Sequence, residues 1–292
     1  MIRSSRRVEA PELGAMLSNR ALVHTRFRLH AVHNARVVSE DALFVRAYAR
    51  AGRVERPIAT VLLEGRARIT AHGERVWLEP GDLALVDEKG AIQMRQEGER
   101  YAALAFEWDE GWLGARPVGV SKVALPAPAI DCARDVWERV GDDAGAAHVA
   151  HLVRALAAEG APLTPRPEAE LEEVAPERMA SVAAALDEAL SKLADQPMTA
   201  DLERTLGLST RQIHRLVAEY NERYGFNSAG WIDTRNRRRL MMGATLMTAP
   251  NATARYVAAV VGYKSAAAFA RALADAGFPP PSAIAERVAE LA

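Results

Sequence analysis

The side chains best suited to recognise a charged partner crowd into one short stretch, Ser209-Thr-Arg-Gln-Ile-His-Arg215. Ser209 and Gln212 stand three apart, the spacing of a capping box that starts a helix. With Ile213, Leu216 and Val217 turned to a core, Thr210, Arg211, Gln212, His214 and Arg215 are left on the outer face and first turns. Arginine forks onto guanine edges, glutamine onto adenine, and histidine donates to base or phosphate, so the chemistry is hydrogen bonding in a nucleic-acid groove. Residue types alone also allow a plainer reading, a solvated charged face.

Charge follows the same division. The chain of 292 residues carries a net charge of −1, yet Thr199–Arg271 holds 11 Lys+Arg against 5 Asp+Glu, a local balance of +6. A basic module is attached to an acidic one, and a local basic patch is what binding to phosphates requires. Lysine stands at four positions only, with arginine and alanine abundant, a usage that points to a GC-rich bacterial genome. Cys132 is the one cysteine, which excludes an internal disulfide and a cysteine-based zinc site. No stretch approaches the roughly 20 apolar residues of a membrane span, and no apolar run follows Met1–Arg7. The expected setting is cytoplasmic, with no membrane partner.

The elements that must position these groups change character along the chain. From Ala21 to Trp108 the apolar period is two. Val23, Thr25, Phe27 and Leu29 alternate with polar residues, as do Leu43, Val45 and Ala47, and Thr60–Leu63 is an apolar run closed by Glu64-Gly65. Further short strands are expected at Ala67–Thr70, Arg75–Leu78, Leu83–Val86, Ile92–Arg95 and Ala102–Trp108. Two helices follow over Ile130–Val140 and Val149–Leu156, offering apolar stripes either to their own barrel or to a second subunit. Three prolines between Gly160 and Glu170 read as a solvated linker. Beyond it lies a helical stripe through Met179, Val182, Leu186, Leu190 and Leu193, then helix, Gly207 turn and helix. A long helix over Ser228–Thr248 carries Arg235, Arg237, Arg238 and Arg239. A second helix, turn and helix occupies Thr253–Ala276, about 55 residues after the first.

The tract Leu78-Glu-Pro-Gly-Asp-Leu-Ala-Leu-Val86 resembles the turn and strand of the cupin, or jelly-roll, superfamily. From Pro176 to Ile284 the chain resembles the DNA-binding domain of the AraC/XylS transcription regulators. The residues carrying this are Leu202, Leu206-Gly-Leu-Ser209, Ile213, Arg215-Leu216, Gly225, Arg237–Leu240, Val257-Ala-Ala-Val-Val-Gly-Tyr-Lys-Ser265, Phe269 and Arg271. The resemblance implies a multidomain α and β fold, with a jelly-roll barrel plus helices over 1–160, a linker over 161–175, and an all-α domain with two helix-turn-helix units over 176–292.

The resemblance also implies a transcription regulator bound to double-stranded DNA, with RNA polymerase and a small-molecule effector as further partners and a homodimer as the working form. It assigns Arg211, His214 and Arg215 to base edges and leaves the Arg235–Arg239 group to hold the two units together through ion pairs, with phosphate contact as the alternative for that group. Trp231 and Tyr256 are expected in core or capping roles.

The second recognition helix presents Ala266, Ala267 and Ala270, which touch a thymine methyl at most. The DNA-binding set is therefore Ser209, Thr210, Arg211, Gln212, His214 and Arg215 as chief readers, with Lys264, Ser265 and Arg271 positioning the domain. The last residues depart from the family, with Ala283-Ile-Ala-Glu-Arg287 in place of an aromatic-Arg ending.

A metal-dependent cupin enzyme is the competing expectation. Such enzymes need converging ligands, commonly His-x-His with a glutamate and a later histidine. His24, His30, His33 and His72 contain no such pair, and Ile58–Ile69 contains no histidine. No catalytic residue, metal or cofactor is expected. A second competitor is an interaction protein with a decayed DNA-binding domain. Arg46, Tyr48, Arg66, Arg68 and Trp77 are candidate lining for an anionic or aromatic effector, with solvated surface the simpler expectation for most of them.

Overall fold

The computed structural model describes residues 1–40, 56–71, 73–87, 93–226 and 228–291. Leu43, Arg46, Val45, Ala47, Tyr48, His72 and Ile92 lie outside the described residues. The fold is mixed α and β, a large sheet followed by helices. The strands are β1 (Ile2–Ala10), β2 (Ala15–Val23), β3 (Phe27–Ala35), β4 (Ser39–Glu40), β5 (Ile58–Ala71), β6 (Glu74–Leu78), β7 (Asp82–Val86), β8 (Gln93–Trp108) and β9 (Val120–Ala124). They form one sheet in the order β1-β2-β3-β8-β5-β7-β9, with β4 on β8 and β6 on β5. The chain divides into two compact units: Met1–Ser5, Asn19–His33 and Glu55–Ala175 in the first, Arg6–Ser18, Asn34–Val54 and Pro176–Ala292 in the second.

In the first unit, two expected breaks turn out to be bulges within long strands. Glu64-Gly65 does not end a strand; β5 runs on through register shifts at Leu62/Glu64 and Glu64/Arg66, paired antiparallel with β8 throughout. Gly65 (φ +84°) and Gly98 (φ +135°) make this possible. A Cβ on either would lie within 3.0 Å of the Arg100 carbonyl oxygen, at 2.6 Å and 2.9 Å respectively. The glycines therefore kink and twist the pair instead of stopping it. Conversely, Val23–Leu29 is not one strand, because His24–Arg26 turns β2 into β3 and the His24 amide donates to the Phe27 carbonyl at 2.9 Å.

Alternation along β3, β5, β7 and β8 sends Phe27, Leu29, Val61, Leu83, Leu85, Leu104, Phe106 and Trp108 to one core. Helices α1 (Ala127–Arg139) and α2 (Ala146–Ala158) cover it with Ala129, Cys132, Val136, Val149, Leu152 and Leu156. Their apolar stripes are spent on their own sheet, and Asp131, Asp135, Glu138, His151 and Arg154 face outward. Burial pushes the Cys132 thiol up to about 11. The opposite sheet face gathers Leu62, Ile69, Leu78, Val86, Tyr101 and Ala103 into a smaller core.

The Pro-rich segment packs where a solvated linker was expected. Ala161, Leu163 and Leu171 are buried in the main core, and a short helix α3 (Glu168–Leu171) forms. Gly114 admits the Pro162 carbonyl so closely that a Cβ there would stand 1.9 Å from its oxygen. Arg166 then straps the segment down, donating from Nε and Nη2 to the Trp112 carbonyl at 2.9 and 2.6 Å. Proline fixes the chain's direction at little entropic cost, which suits a strap as well as a linker.

The helices of the second unit are α4 (Glu177–Ser191), α5 (Thr199–Leu206), α6 (Thr210–Arg223), α7 (Trp231–Leu246), α8 (Ala254–Val260), α9 (Ala266–Asp275) and α10 (Pro281–Glu290). Leu186, Leu190, Leu202, Ile213, Leu216, Tyr220, Trp231, Val257, Phe269 and Ile284 are all buried. The unusual C-terminal ending still docks α10, through Pro281, Ile284 and Val288.

Candidate nucleic-acid interface

Two helix-turn-helix units stand on α7. In the first, α5 ends at Gly207 (φ +65°), whose amide donates to the Glu203 carbonyl at 2.8 Å. A left-handed residue here suits glycine. Two residues on, Ser209 starts α6: its backbone N–H and its hydroxyl both donate to Gln212 Oε1, at 2.9 and 2.8 Å. The cap is thus made, and it consumes the Gln212 carbonyl, leaving only the NH2 group for a partner. Thr210 is engaged as well, donating its hydroxyl to the Glu203 carboxylate.

Three side chains of α6 stay available. Arg211, His214 and Arg215 are exposed, and among the described residues none makes a hydrogen bond or ion pair. They share the face opposite Ile213, Leu216, Val217 and Tyr220, which are buried. Unpaired guanidinium groups on a fixed helix are ready to bond an incoming partner without first breaking an internal contact.

The second unit is built alike. Thr253 Oγ1 accepts from the Tyr256 amide at 3.3 Å and Ser265 Oγ from the Ala268 amide at 3.1 Å. Each oxygen thereby satisfies one of the unpaired amides at a helix start. Ser265 and Lys264 are exposed, as is Arg271; Lys264 and Arg271 have no side-chain partner among the described residues. Ala267 is exposed, Ala266 and Ala270 half-buried. Arg255 on α8 is a further exposed cation with no side-chain partner among the described residues, and the sequence reading passed over it. Its signal was present, an arginine two residues after the Thr253 cap.

The α7 arginines behave differently. Arg235 donates to the Pro197 carbonyl at 2.9 Å, just before α5. Arg239 Nε donates to the Val261 carbonyl at 2.7 Å and its Nη2 to Gly262, while its guanidinium lies 3.9 Å from the Tyr263 ring centre. Burial lowers the Arg239 pKa and raises that of Tyr263, so the ring stays neutral beneath the cation. Arg237 makes the expected kind of contact, 3.4 Å from Asp233. Arg235 and Arg239 therefore tie both units to α7, through carbonyl oxygens instead of ion pairs. Gly262 (φ +78°) completes the arrangement, since a Cβ there would be 2.0 Å from the Leu193 carbonyl oxygen. Trp231 is fully buried, and Tyr256 half-buried.

The first unit holds a separate polar group on the sheet face opposite the helices. Arg28 pairs with Glu107, His30 Nε2 lies 4.0 Å from Glu107, and His30 Nδ1 lies 3.4 Å from Asn19 Oδ1. Burial alone would raise the Glu107 pKa; Arg28, His30 and Arg56 outweigh it and hold the carboxyl below its ordinary value. On the same face Thr60 sits opposite Ala84 and Ala105. It is 1% exposed, and its hydroxyl has no partner among the described residues. Of the residues first considered as an effector lining, Arg66 and Arg68 lie 4.2 and 5.6 Å from the Trp77 ring centre. Arg66 is exposed, but Arg68 is buried and not the solvated group expected.

The histidines diverge. His30 and His33 lie three apart on β3 and so on opposite faces, His33 turning its ring to Trp137. His24 stacks between Phe27 and Trp112. Among the described residues no three His, Cys, Asp or Glu side chains are grouped to hold a metal, and no helix is long and apolar enough to cross a membrane.

No family model matches the chain, and no curated protein does. Solved structures similar to it include AraC-like regulators over most of the chain and cupin proteins over about a third. The AraC-like transcriptional activator CuxR is 15% identical over 80% of this chain and 82% of that one, with a TM-score of 0.37. ToxT from Vibrio cholerae is 9% identical over 89% and 98%, with a TM-score of 0.35. A cupin protein from Bacteroides fragilis is 16% identical over 32% and 75%, with a TM-score of 0.24.

Proposed function

We propose that this chain is a sequence-specific DNA-binding transcription regulator of the AraC type, reading the major groove chiefly through α6. The observation that carries the proposal is the difference among its cations. Arg235 and Arg239 are bonded to carbonyls within the unit, whereas Arg211, His214 and Arg215 stand exposed and unpartnered on a capped helix. Base contact falls to Arg211, His214 and Arg215, with Gln212 reduced to its NH2 group. Ser209 and Thr210 shape the start of α6. Lys264, Ser265 and Arg271, joined by Arg255, position the second unit on phosphates.

Residues 1–160 serve as sensor and dimerisation domain, 161–175 as the connection, and 176–292 as the DNA-binding domain of a homodimer that works in the bacterial cytoplasm with RNA polymerase. The Arg28, His30, Glu107 and Thr60 group supports an effector small enough to lie on that sheet face, bearing an anionic group for Arg28 and an acceptor for the Thr60 hydroxyl. Its binding changes the population of DNA-competent molecules.

The test is selection from random duplexes by the purified full chain at two salt concentrations. An enriched motif is expected, with its half-site spacing reporting the dimer. Arg215→Ala should weaken binding by about 1–3 kcal/mol and relax one position, and Lys264→Ala should lower the salt slope by about 1 without altering the motif. Salt-sensitive binding without any motif would overturn the reading and favour the interaction protein suggested by Ala266, Ala267 and Ala270.

A further inference from the structure

The second unit is not confined to the C-terminal helices, since Arg6–Ser18 and Asn34–Val54 belong to it. Within it, Arg6 Nε lies 2.6 Å from Asp187 on α4, a pair whose side chains are 19% and 12% exposed. The Arg7 amide donates to Ser191 Oγ at 3.4 Å, at the end of the same helix. The Glu12 amide donates to the Tyr256 hydroxyl at 3.2 Å, on α8. Thr248, just past α7, accepts from the Val38 amide at 2.8 Å, and its one proton is shared between the Val38 and Thr245 carbonyls at 3.1 and 2.7 Å.

These grips fall in a particular place. Thr248 and Tyr256 flank the joint 249–253 that carries the chain from α7 into the second helix-turn-helix, and α4 leads into Leu193, whose carbonyl faces Gly262 in its turn. None touches Lys264, Ser265 or Arg271, which stay exposed. A contact that leaves the reading face open while bracketing its hinge acts on geometry, not on access.

We propose that residues 6–18 and 34–40 form a clamp that seats the second helix-turn-helix at its joint with α7, through Thr248 and Tyr256, and so sets the spacing of the two recognition helices. The clamp rests on the DNA-binding reading for its consequence but not for its existence.

The test uses the full chain, as Thr248→Val, Tyr256→Phe and the double variant, and reads amide hydrogen exchange without DNA. Opening of a local unit raises exchange only where the lost contacts held it. Exchange over 249–263 is expected to accelerate on the order of tenfold in the double variant, with Thr210–Tyr224 unchanged. Tyr256→Phe keeps the ring and its packing, so a milder change of the same pattern is expected from it alone. Unchanged exchange over 249–263, or equal acceleration over 210–224, overturns the clamp. The same variants are then titrated with the selected duplex and with a duplex holding only the half that α6 reads. Loss on the full duplex alone supports the clamp's role in spacing, and equal loss on both overturns that role. Wild-type protein that binds neither duplex would overturn the DNA reading, and the exchange result would still decide the clamp.

Discussion

At the scale of single residues, spacing announces which groups are grouped but not what each is free to do. Gln212 illustrates the conflict: the position that makes it the last member of a capping box also commits its carbonyl to Ser209, so one residue type supported two readings and local geometry divided them. Thr60 shows the converse. As a threonine in an apolar run it carries no signal, and only the sheet register, which pairs it with Ala105 two residues from Glu107, places it on the same sheet face as that carboxylate. His24 was weighed as a metal ligand, and its surroundings give it another role. Burial, reinforced by the amino terminus and Arg26 and opposed by Glu173 and Asp109, lowers its pKa from 6.5. Its Nδ1 accepts the Arg26 amide at 3.0 Å, which requires the neutral ring with its proton on Nε2. The unfolded chain therefore binds the proton more tightly, and stability that is full above about pH 6.5 is lost as the pH falls towards the folded value. His24→Asn keeps an acceptor and removes the titration. The slope of unfolding free energy below pH 6.5 should become shallower by up to about 1.4 kcal/mol per pH unit, measured by urea denaturation across that range; an unaltered slope would refute the assignment.

At the scale of elements, the helical half was legible because its punctuation is local. Gly207, Ser209, Thr253, Gly262 and Ser265 do in the structure what their types dictate at helix ends. The sheet was harder to read. Gly65 and Gly98 look like turn residues, yet they serve a bulge in paired long strands, a role set by the partner strand and invisible to a single window. Strand β1 was missed altogether. Its burial alternates at Ile2, Ser4, Val8 and Ala10, but Arg3, Arg6 and Arg7 hide the apolar period. The Pro-rich segment failed for a related reason, since Ala161, Leu163 and Leu171 are too few to announce burial. The arginines of α7 yield an elementary test. Arg239→Lys retains charge and length but loses the planar fork onto two carbonyls and the stack on Tyr263, a change worth about 2 kcal/mol. Its unfolding midpoint should drop accordingly, and a midpoint equal to wild type would show that the fork contributes nothing to the unit.

At the scale of the whole molecule, the succession of sheet and helices was legible and the discontinuity of the two units was not. Period-two and helical patterns mark where each kind of structure begins, whereas the assignment of Arg6–Ser18 and Asn34–Val54 to the helical unit depends on long-range contacts such as Arg6 with Asp187 that leave no trace in local sequence. Salt probes the molecule at this scale. If five cations, Arg211, Arg215, Arg255, Lys264 and Arg271, meet phosphates or bases, affinity for DNA should fall by several decades per decade of salt. The internal ties of Arg235 and Arg239 end on neutral carbonyls, where mobile ions have little to screen. The ties of Arg235 and Arg239 and the proposed hold on DNA thus answer to different solution variables. If the proposed DNA binding holds, a range of ionic strength that strips DNA from the protein should leave these two ties in place, so release of DNA and loosening of the joints on α7 should separate along a salt titration.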